Sequence, residues 1–230
     1  MTELVSVVLP VHNQGDHLDG VVRGHLGALE RLTVPSEIVL VLNACTDASA
    51  DVAAGLAREH EGVRVCELEQ GGWGRAVKAG LAAARGDLLC YTNSARTSPE
   101  MLTLLLLYAV AYPEVVIKAN RLIRDNLTRR AGSLLYNLEC RALFDIATWD
   151  INGTPKVFPR SFHKLLELRS DDDLIDAELM WVCQREAYPL VEVPILATIR
   201  HGGKSTTNYG AALRMYWGAW RLRRKLSARR

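Results

Sequence analysis

The stretch Gln70-Gly71-Gly72-Trp73-Gly74-Arg75-Ala76-Val77-Lys78-Ala79-Gly80 decides how this chain reads. An apolar run over 87–91 follows it, and then Thr92-Asn93-Ser94-Ala95-Arg96. Glycine lets a backbone pass close to a ligand or a neighbour where a Cβ would clash. Residues 76–84 have helical character, so the loop opens a helix. The strand after that helix ends at the edge where open α/β sheets take their ligands. A short Gly-rich loop is a weak signal by itself; its weight comes from the units around it.

Working outward, apolar strands are expected over 4–9 and 37–42, with helices over 17–32 and 48–60 and a further strand over 63–68. The first two strands run into polar turns, Pro10-Val11-His12-Asn13 and Asn43-Ala44-Cys45-Thr46-Asp47. Alternation of this kind predicts a mostly parallel sheet with helices on both faces and right-handed crossovers. Ser98-Pro99-Glu100 starts a helix, with Pro near N1 and an acid at the positive dipole end, and the apolar run over 101–112 reads as core. Past Pro113 the alternation breaks. A strand is expected over 115–119, a helix ending at 144, a turn over 152–156, a short strand over 157–158 and a helix over 176–187 entered from the acidic run 170–173. Residues 191–194 read as an edge strand, because Pro194 cannot donate to a ladder. No repeat or linker interrupts the chain, so one domain is expected over 1–208, followed by a basic amphipathic C-terminal helix over 209–230.

Composition sets outer bounds. The chain has 230 residues, 49% hydrophobic and 23% charged, with a net charge of +2. That balance argues for a single globular domain and gives nucleic acid no general attraction. The cysteines, Cys45, Cys66, Cys90, Cys140 and Cys183, are scattered without CxxC spacing; this fits buried thiols in a reducing compartment better than disulfides or zinc. No basic n-region precedes the first strand, and the run 101–112 is too short for a bilayer of about 30 Å. A cytoplasmic protein is expected.

The turns together carry a resemblance. Pro10-Val11-His12-Asn13 resembles the end of strand one in family 2 glycosyltransferases with the GT-A fold. Asn43-Ala44-Cys45-Thr46-Asp47 is similar to their Asp-Asp-Gly-Ser-x-Asp turn, and Gly72-Trp73-Gly74 with Ala76 and Gly80 to their Asn-x-Gly-x-Gly-x-Ala loop. Gly86-Asp87 opens the strand that carries their metal-binding Asp-x-Asp. Asp176-Ala177-Glu178, Glu192-Val193-Pro194-Ile195 and Arg200-His201-Gly202-Gly203-Lys204-Ser205 resemble the dolichyl- and polyprenyl-phosphate mannose or glucose synthases. The likeness spans roughly residues 4 to 205 and implies a Rossmann-like GT-A α/β domain. It assigns donor contacts to Pro10, His12, Asn13, Asn43, Asp47, Gly72, Gly74, Lys78, Asn93 and Ala95, with Asp176, Glu178 and Asp150 as candidate catalytic acids.

The departures are as informative as the matches. Asn93-Ser94-Ala95 stands where the family has Asp-x-Asp, and Leu42 where it usually has the first Asp of the second-strand turn. Mg²⁺ and Mn²⁺ prefer carboxylate oxygen; Asn93 offers a weaker amide and Ala95 nothing. Without a metal, charge on the departing diphosphate must be met by fixed cations. Candidates are Arg96, Arg121, Arg129, Arg130, Lys156, Arg200 and Lys204.

The acceptor follows from chemistry. A hydroxyl acceptor needs a positioned base, whereas a lipid monophosphate, with a second pKa of about 6, is largely a dianion at pH 7. It needs a cationic dock instead, which the resemblance assigns to Arg121, Arg130, Ser133, Lys156, Arg200, Lys204 and Ser205. The expected activity is inverting transfer from a UDP- or GDP-sugar to a polyprenyl phosphate. Two alternatives stand beside it: transfer to a small-molecule hydroxyl with Asp176 or Glu178 as base, and a non-catalytic nucleotide-sugar-binding protein. In the tail, Leu213, Tyr216, Trp217 and Trp220 are expected on one helical face, flanked by Arg214, Arg221 and Arg224. That pattern suits either peripheral contact with the inner face of a membrane or packing on the domain. Asp47 also reads as a helix cap, and Asp171 to Asp173 as a solvated charge cluster.

Overall fold

Val5, Val7, Leu9 and Val11 bury on one side of the first strand, β1 (Val5–Val11), and Val8 on the other, the period-two signature of a strand covered on both faces. The computed structural model describes residues 2–123, 127–196 and 209–227. In chain order the elements are β1, α1 (Leu18–Leu29), β2 (Ser36–Asn43), α2 (Ser49–Glu59), β3 (Val63–Leu68), α3 (Trp73–Ala83), β4 (Leu88–Tyr91), α4 (Pro99–Ala111), β5 (Val116–Ile123), α5 (Leu127–Phe144), β6 (Lys156–Pro159), α6 (Ile175–Arg185), β7 (Leu190–Leu196) and α7 (Tyr209–Ser227). The strands form one seven-stranded sheet in the order β3-β2-β1-β4-β6-β5-β7. β1 pairs in parallel with β2 and β4, β2 with β3, and β5 with β7, while β6 runs antiparallel between β4 and β5.

Helices α1, α2 and α4 cover one face through Leu18, Val22, Leu56, Leu102 and Leu105. Helices α3, α5, α6 and α7 cover the other through Val77, Leu81, Tyr136, Cys140, Leu179, Ala219 and Leu222. The expected mostly parallel α/β domain is therefore the observed one. Several boundaries moved for physical reasons. β5 runs on to Ile123 because β7 continues to pair with it past Arg121, and β7 lies at the sheet edge where Pro194 costs no ladder bond. α3 begins at Trp73, inside the glycine loop. The apolar helix α4 is core on one side only: Leu102, Leu105, Leu106 and Ala109 are buried, but Leu104, Leu107 and Tyr108 face outward.

A polar cluster ties β1 to β2 in the core. Glu37 on β2 is buried and accepts from Ser6 Oγ at 2.7 Å, Arg85 N at 2.7 Å and Arg85 Nε at 2.9 Å. Burial pushes its pKa up, but the Ser6 and Arg85 hydrogen bonds outweigh that, so the carboxyl is held below its ordinary 4.5.

Candidate functional site

The turns singled out in the sequence meet along the C-terminal edge of the sheet. Asn43 Oδ1 accepts from Gly72 N at 2.9 Å, and the Asn43 carbonyl accepts from His12 Nδ1 at 2.7 Å, so one residue ties the ends of β1 and β2 to the glycine loop. Asn13 Oδ1 accepts from Thr46 N at 2.8 Å. Asp47 accepts from Gly15 N at 2.9 Å and Ser49 N at 3.0 Å, which joins the same two turns. Ser94 Oγ donates to the Pro10 carbonyl at 2.8 Å, binding the end of β4 to that of β1. Asn13 and Ala44 take left-handed backbone conformations, with φ of +51° and +52°. Such conformations cost roughly 1–3 kcal/mol each for ordinary residues and gather where geometry is held for a purpose.

The glycines of the loop face protein. Gly72 sits at φ +154°, and a Cβ there would lie 2.5 Å from the Asp171 carbonyl. A Cβ on Gly74 would meet the carbonyl oxygens of Ser170 and Asp172. The segment 169–172 is thus laid against the start of α3, and polar contacts fasten it there. Arg75 N donates to Asp171 O at 3.1 Å, Lys78 Nζ donates to Asp171 Oδ1 at 2.6 Å and Arg169 O at 3.1 Å, and Glu178 accepts from Arg169 N and Ser170 N. The run 170–173 is therefore more than a solvated charge cluster, since Asp171 pairs with Lys78 and Arg75 and Asp172 Oδ1 accepts from Leu174 N.

Three ion pairs fill the other half of the edge. Lys156, wholly buried at the start of β6, donates to Asp176 Oδ1, which also accepts from Tyr91 OH at 2.7 Å, while Asp176 Oδ2 accepts from Trp73 Nε1 at 3.2 Å. Lys118, in register with Lys156, donates to Glu192 Oε1 at 2.8 Å and to the Trp149 carbonyl. Arg121 grips Asp150 with Nε and Nη2, both at 2.7 Å, and its backbone N–H adds a third bond at 2.9 Å. Burial works against both lysine charges and lowers their pKa values, Asp176 and Glu192 offsetting it in part. Burial also opposes the Arg121 charge, yet the Asp150 bonds prevail and raise its pKa. Burial, with Asp176 beside it, pushes the Tyr91 phenol well above its ordinary range, keeping it a proton donor.

Asp150, Asp176 and Glu178 each have an occupant for their carboxylates, and all three are buried. Ser133 is half-buried on α5. The side chains of Arg129 and Arg130, and Arg200, Lys204 and Ser205, lie outside the described residues. Tyr91 and Trp73 complete the Asp176 cage and were not singled out in the sequence. A signal existed, because a tyrosine ending a buried strand needs a partner for its hydroxyl.

Residues 93–95 do not fit a hard divalent cation. Asn93 Oδ1 accepts from Ala95 N at 2.9 Å, the buried Ser94 hydroxyl points back to Pro10, and Ala95 has no donor atom. Among the described residues no group of three or more His, Cys, Asp or Glu side chains is arranged to hold a metal.

A mostly parallel sheet whose strand ends converge on a helix-opening glycine loop defines an open-sheet α/β protein, a class that takes its ligands at that edge. The sequence model of the family described as "Glycosyl transferase family 2" matches residues 6–166, and the chain belongs to that family. An undecaprenyl-phosphate 4-deoxy-4-formamido-L-arabinose transferase from Pectobacterium carotovorum is 31% identical over 60% of this chain and 43% of its own length. A dolichyl-phosphate beta-glucosyltransferase from Drosophila melanogaster is 27% identical over 95% of this chain and 77% of its own. The chain thus spans less than half the length of the arabinose transferases it matches. A glucosyl-3-phosphoglycerate synthase from Mycobacterium tuberculosis, solved with Mn²⁺, UDP-glucose and phosphoglyceric acid, shares the fold. Its TM-score is 0.73 at 17% identity, over 96% of this chain and 79% of that one.

Proposed function

We propose that this chain moves a sugar from a UDP- or GDP-linked donor to a polyprenyl phosphate with inversion. The observation that carries the reading is the state of the carboxylates. A hydroxyl acceptor must lose its proton to a base within hydrogen-bond reach, but Asp176 is caged by Lys156, Tyr91 and Trp73, Glu178 by the 169–170 backbone, and Asp150 by Arg121. A phosphate dianion has no proton to lose. One of its oxygens attacks the anomeric carbon, and the bond from that carbon to the diphosphate oxygen breaks. The nucleoside diphosphate leaves with the bonding pair. Relatives named for undecaprenyl-phosphate and dolichyl-phosphate support the same acceptor class.

In this reading the donor lies over the turns at Pro10, His12, Asn13, Asn43, Asp47 and Asn93–Ala95, behind the loop of Gly72, Gly74 and Lys78. Arg121, with Arg130, Ser133, Arg200, Lys204 and Ser205, meets the phosphates. Lys156 and Lys78 act indirectly, Lys156 by holding Asp176 and Lys78 by holding the 169–172 wall.

A lipid acceptor calls for membrane proximity, and α7 supports it at the inner leaflet. Ala219, Leu222 and Leu226 pack inward, and Tyr216 does too, its ring edge-on to Tyr136 and its hydroxyl donating to Gly132 O at 2.8 Å. Tyr216 therefore parts from Trp217 and Trp220, the residues expected to share its face, while the side chains of Leu213 and Arg214 lie outside the described residues. Trp217 and Trp220 remain 69% and 58% exposed, beside exposed Arg221, Arg224 and Lys225. Tryptophan with flanking cations is the composition that suits a headgroup interface. Among the described residues no helix is long and apolar enough to cross a membrane.

The test is a matched pair of acceptors, a polyprenyl phosphate and the polyprenol of the same chain, each with UDP-glucose and GDP-mannose as probe donors. Transfer to the phosphate alone is expected. Transfer to the alcohol would favour a base-dependent mechanism, and donor binding without turnover on any acceptor would favour a non-catalytic protein.

A further inference from the structure

We propose that this chain binds its nucleoside diphosphate without a resident divalent cation, an inference that rests on the nucleotide-sugar reading above. The geometry at the end of β4 carries it. The one amide oxygen is turned onto Ala95 N, the one hydroxyl is buried against Pro10, and the third position is an alanine.

Among the described residues, the acids along this edge do not make up the loss. Lys118, Arg121 and Lys156 are matched one for one by Glu192, Asp150 and Asp176. Asp47 is spent on the Gly15 and Ser49 amides, and Asp171 on Lys78 and Arg75. An ion of charge +2 needs carboxylates not already neutralised, because its own dehydration must be offset by them. Along the described edge each of these acids is already engaged, so entry of the ion would take Lys118, Arg121 or Lys156 from its partner or undo the bonds that hold Asp47 and Asp171.

The charge that develops on the departing diphosphate then falls to fixed cations. Arg121 is the described one best suited. Its side chain keeps 25% of its surface exposed, and Asp150 fixes its orientation while holding it charged.

The experiment has two arms on the full chain. In the first, Mn²⁺ alone is titrated against wild type and Asn93→Asp/Ala95→Asp, reading the free-ion paramagnetic resonance signal. Wild type should leave the signal as buffer does. The folded double variant should bind at least about tenfold more tightly, since even the outer partners of a metal are worth roughly 10–100-fold. In the second arm, UDP and GDP are titrated by calorimetry in EDTA and in Mn²⁺, and equal affinity is expected.

Wild-type Mn²⁺ uptake that Asn93→Ala removes would overturn the proposal, as would a gain of about tenfold or more in diphosphate affinity on adding Mn²⁺. A folded double variant that gains nothing would overturn the assignment of 93–95 as the lost metal position. Absence of nucleotide binding in both buffers would instead sink the nucleotide-sugar reading, leaving the Mn²⁺ arm to decide the metal question alone.

Discussion

Replacing Lys156 with Met tests the central pair most directly. Both partners are almost wholly out of solvent, with side-chain exposures of 0% for Lys156 and 5% for Asp176. The substitution keeps most of the apolar stem and removes the charge, leaving the Asp176 carboxylate with only the Tyr91 hydroxyl and the Trp73 indole. Breaking a buried pair from one side costs about 3–5 kcal/mol, a large share of the roughly 5–15 kcal/mol that holds a domain folded. Asp176→Asn should cost less and behave differently with pH. Burial already draws the Lys156 pKa below 10.5, and losing Asp176 draws it further. Between that lowered value and 10.5 the unfolded chain binds the proton that the folded chain has shed, so stability rises with pH across the window. The double variant Lys156→Met/Asp176→Leu removes both charges and should recover most of the loss, because apolar replacement of a whole buried pair is often neutral or better. Urea unfolding followed by circular dichroism reads all four proteins at constant m. A Lys156→Met penalty below about 1 kcal/mol, or a double variant no more stable than Lys156→Met, would refute a desolvated ion pair at this position.

Glu37→Gln removes a carboxylate held below its ordinary pKa by Ser6 and Arg85 against the cost of burial. That stabilisation is complete above about pH 4.5 and is lost as pH falls through the folded pKa, so the variant should lose about 1.5–3 kcal/mol at pH 7. Its melting temperature should fall less steeply than that of wild type below pH 4.5; parallel curves would count against the assignment. Gly74→Ala drives a Cβ against the Ser170 and Asp172 carbonyls and should cost about 1–3 kcal/mol by overpacking. Gly55→Ala in α2, where nothing lies within 4 Å of the new Cβ, should instead stabilise by up to about 1 kcal/mol; equal effects by calorimetric melting would refute the packing account. Trp217→Ser/Trp220→Ser should lower binding to anionic vesicles by about tenfold or more in co-sedimentation, with the wild-type interaction weakening in high salt. Unchanged partitioning would remove α7 from the membrane reading.

How much of this was legible depended on range. The apolar runs over 4–9 and 37–42 and the turns at Asn13, Asn43 and Gly72 are local patterns, and they are enough to place the parallel strands and their common edge. The reversal of β6 was not legible, because four residues carry no periodicity of their own and their place between β4 and β5 is fixed by pairing across long loops. That hidden register sets Lys156 beside both Tyr91 and Lys118. Asp176 and Glu178 read in the sequence as candidate catalytic acids; the fold buries both and gives each a protein partner, which no local pattern shows. The same register bears on mechanism. With Lys156 set at the end of β4, Asp176 is its partner, and an acid so paired is a poor base or metal ligand in the proposed reading. The missing Asp-x-Asp and the caged carboxylates then bear on the proposed mechanism together. In the reading proposed above, charge compensation falls to arginine and the nucleophile to the acceptor, which is the chemistry that a phosphate acceptor supplies.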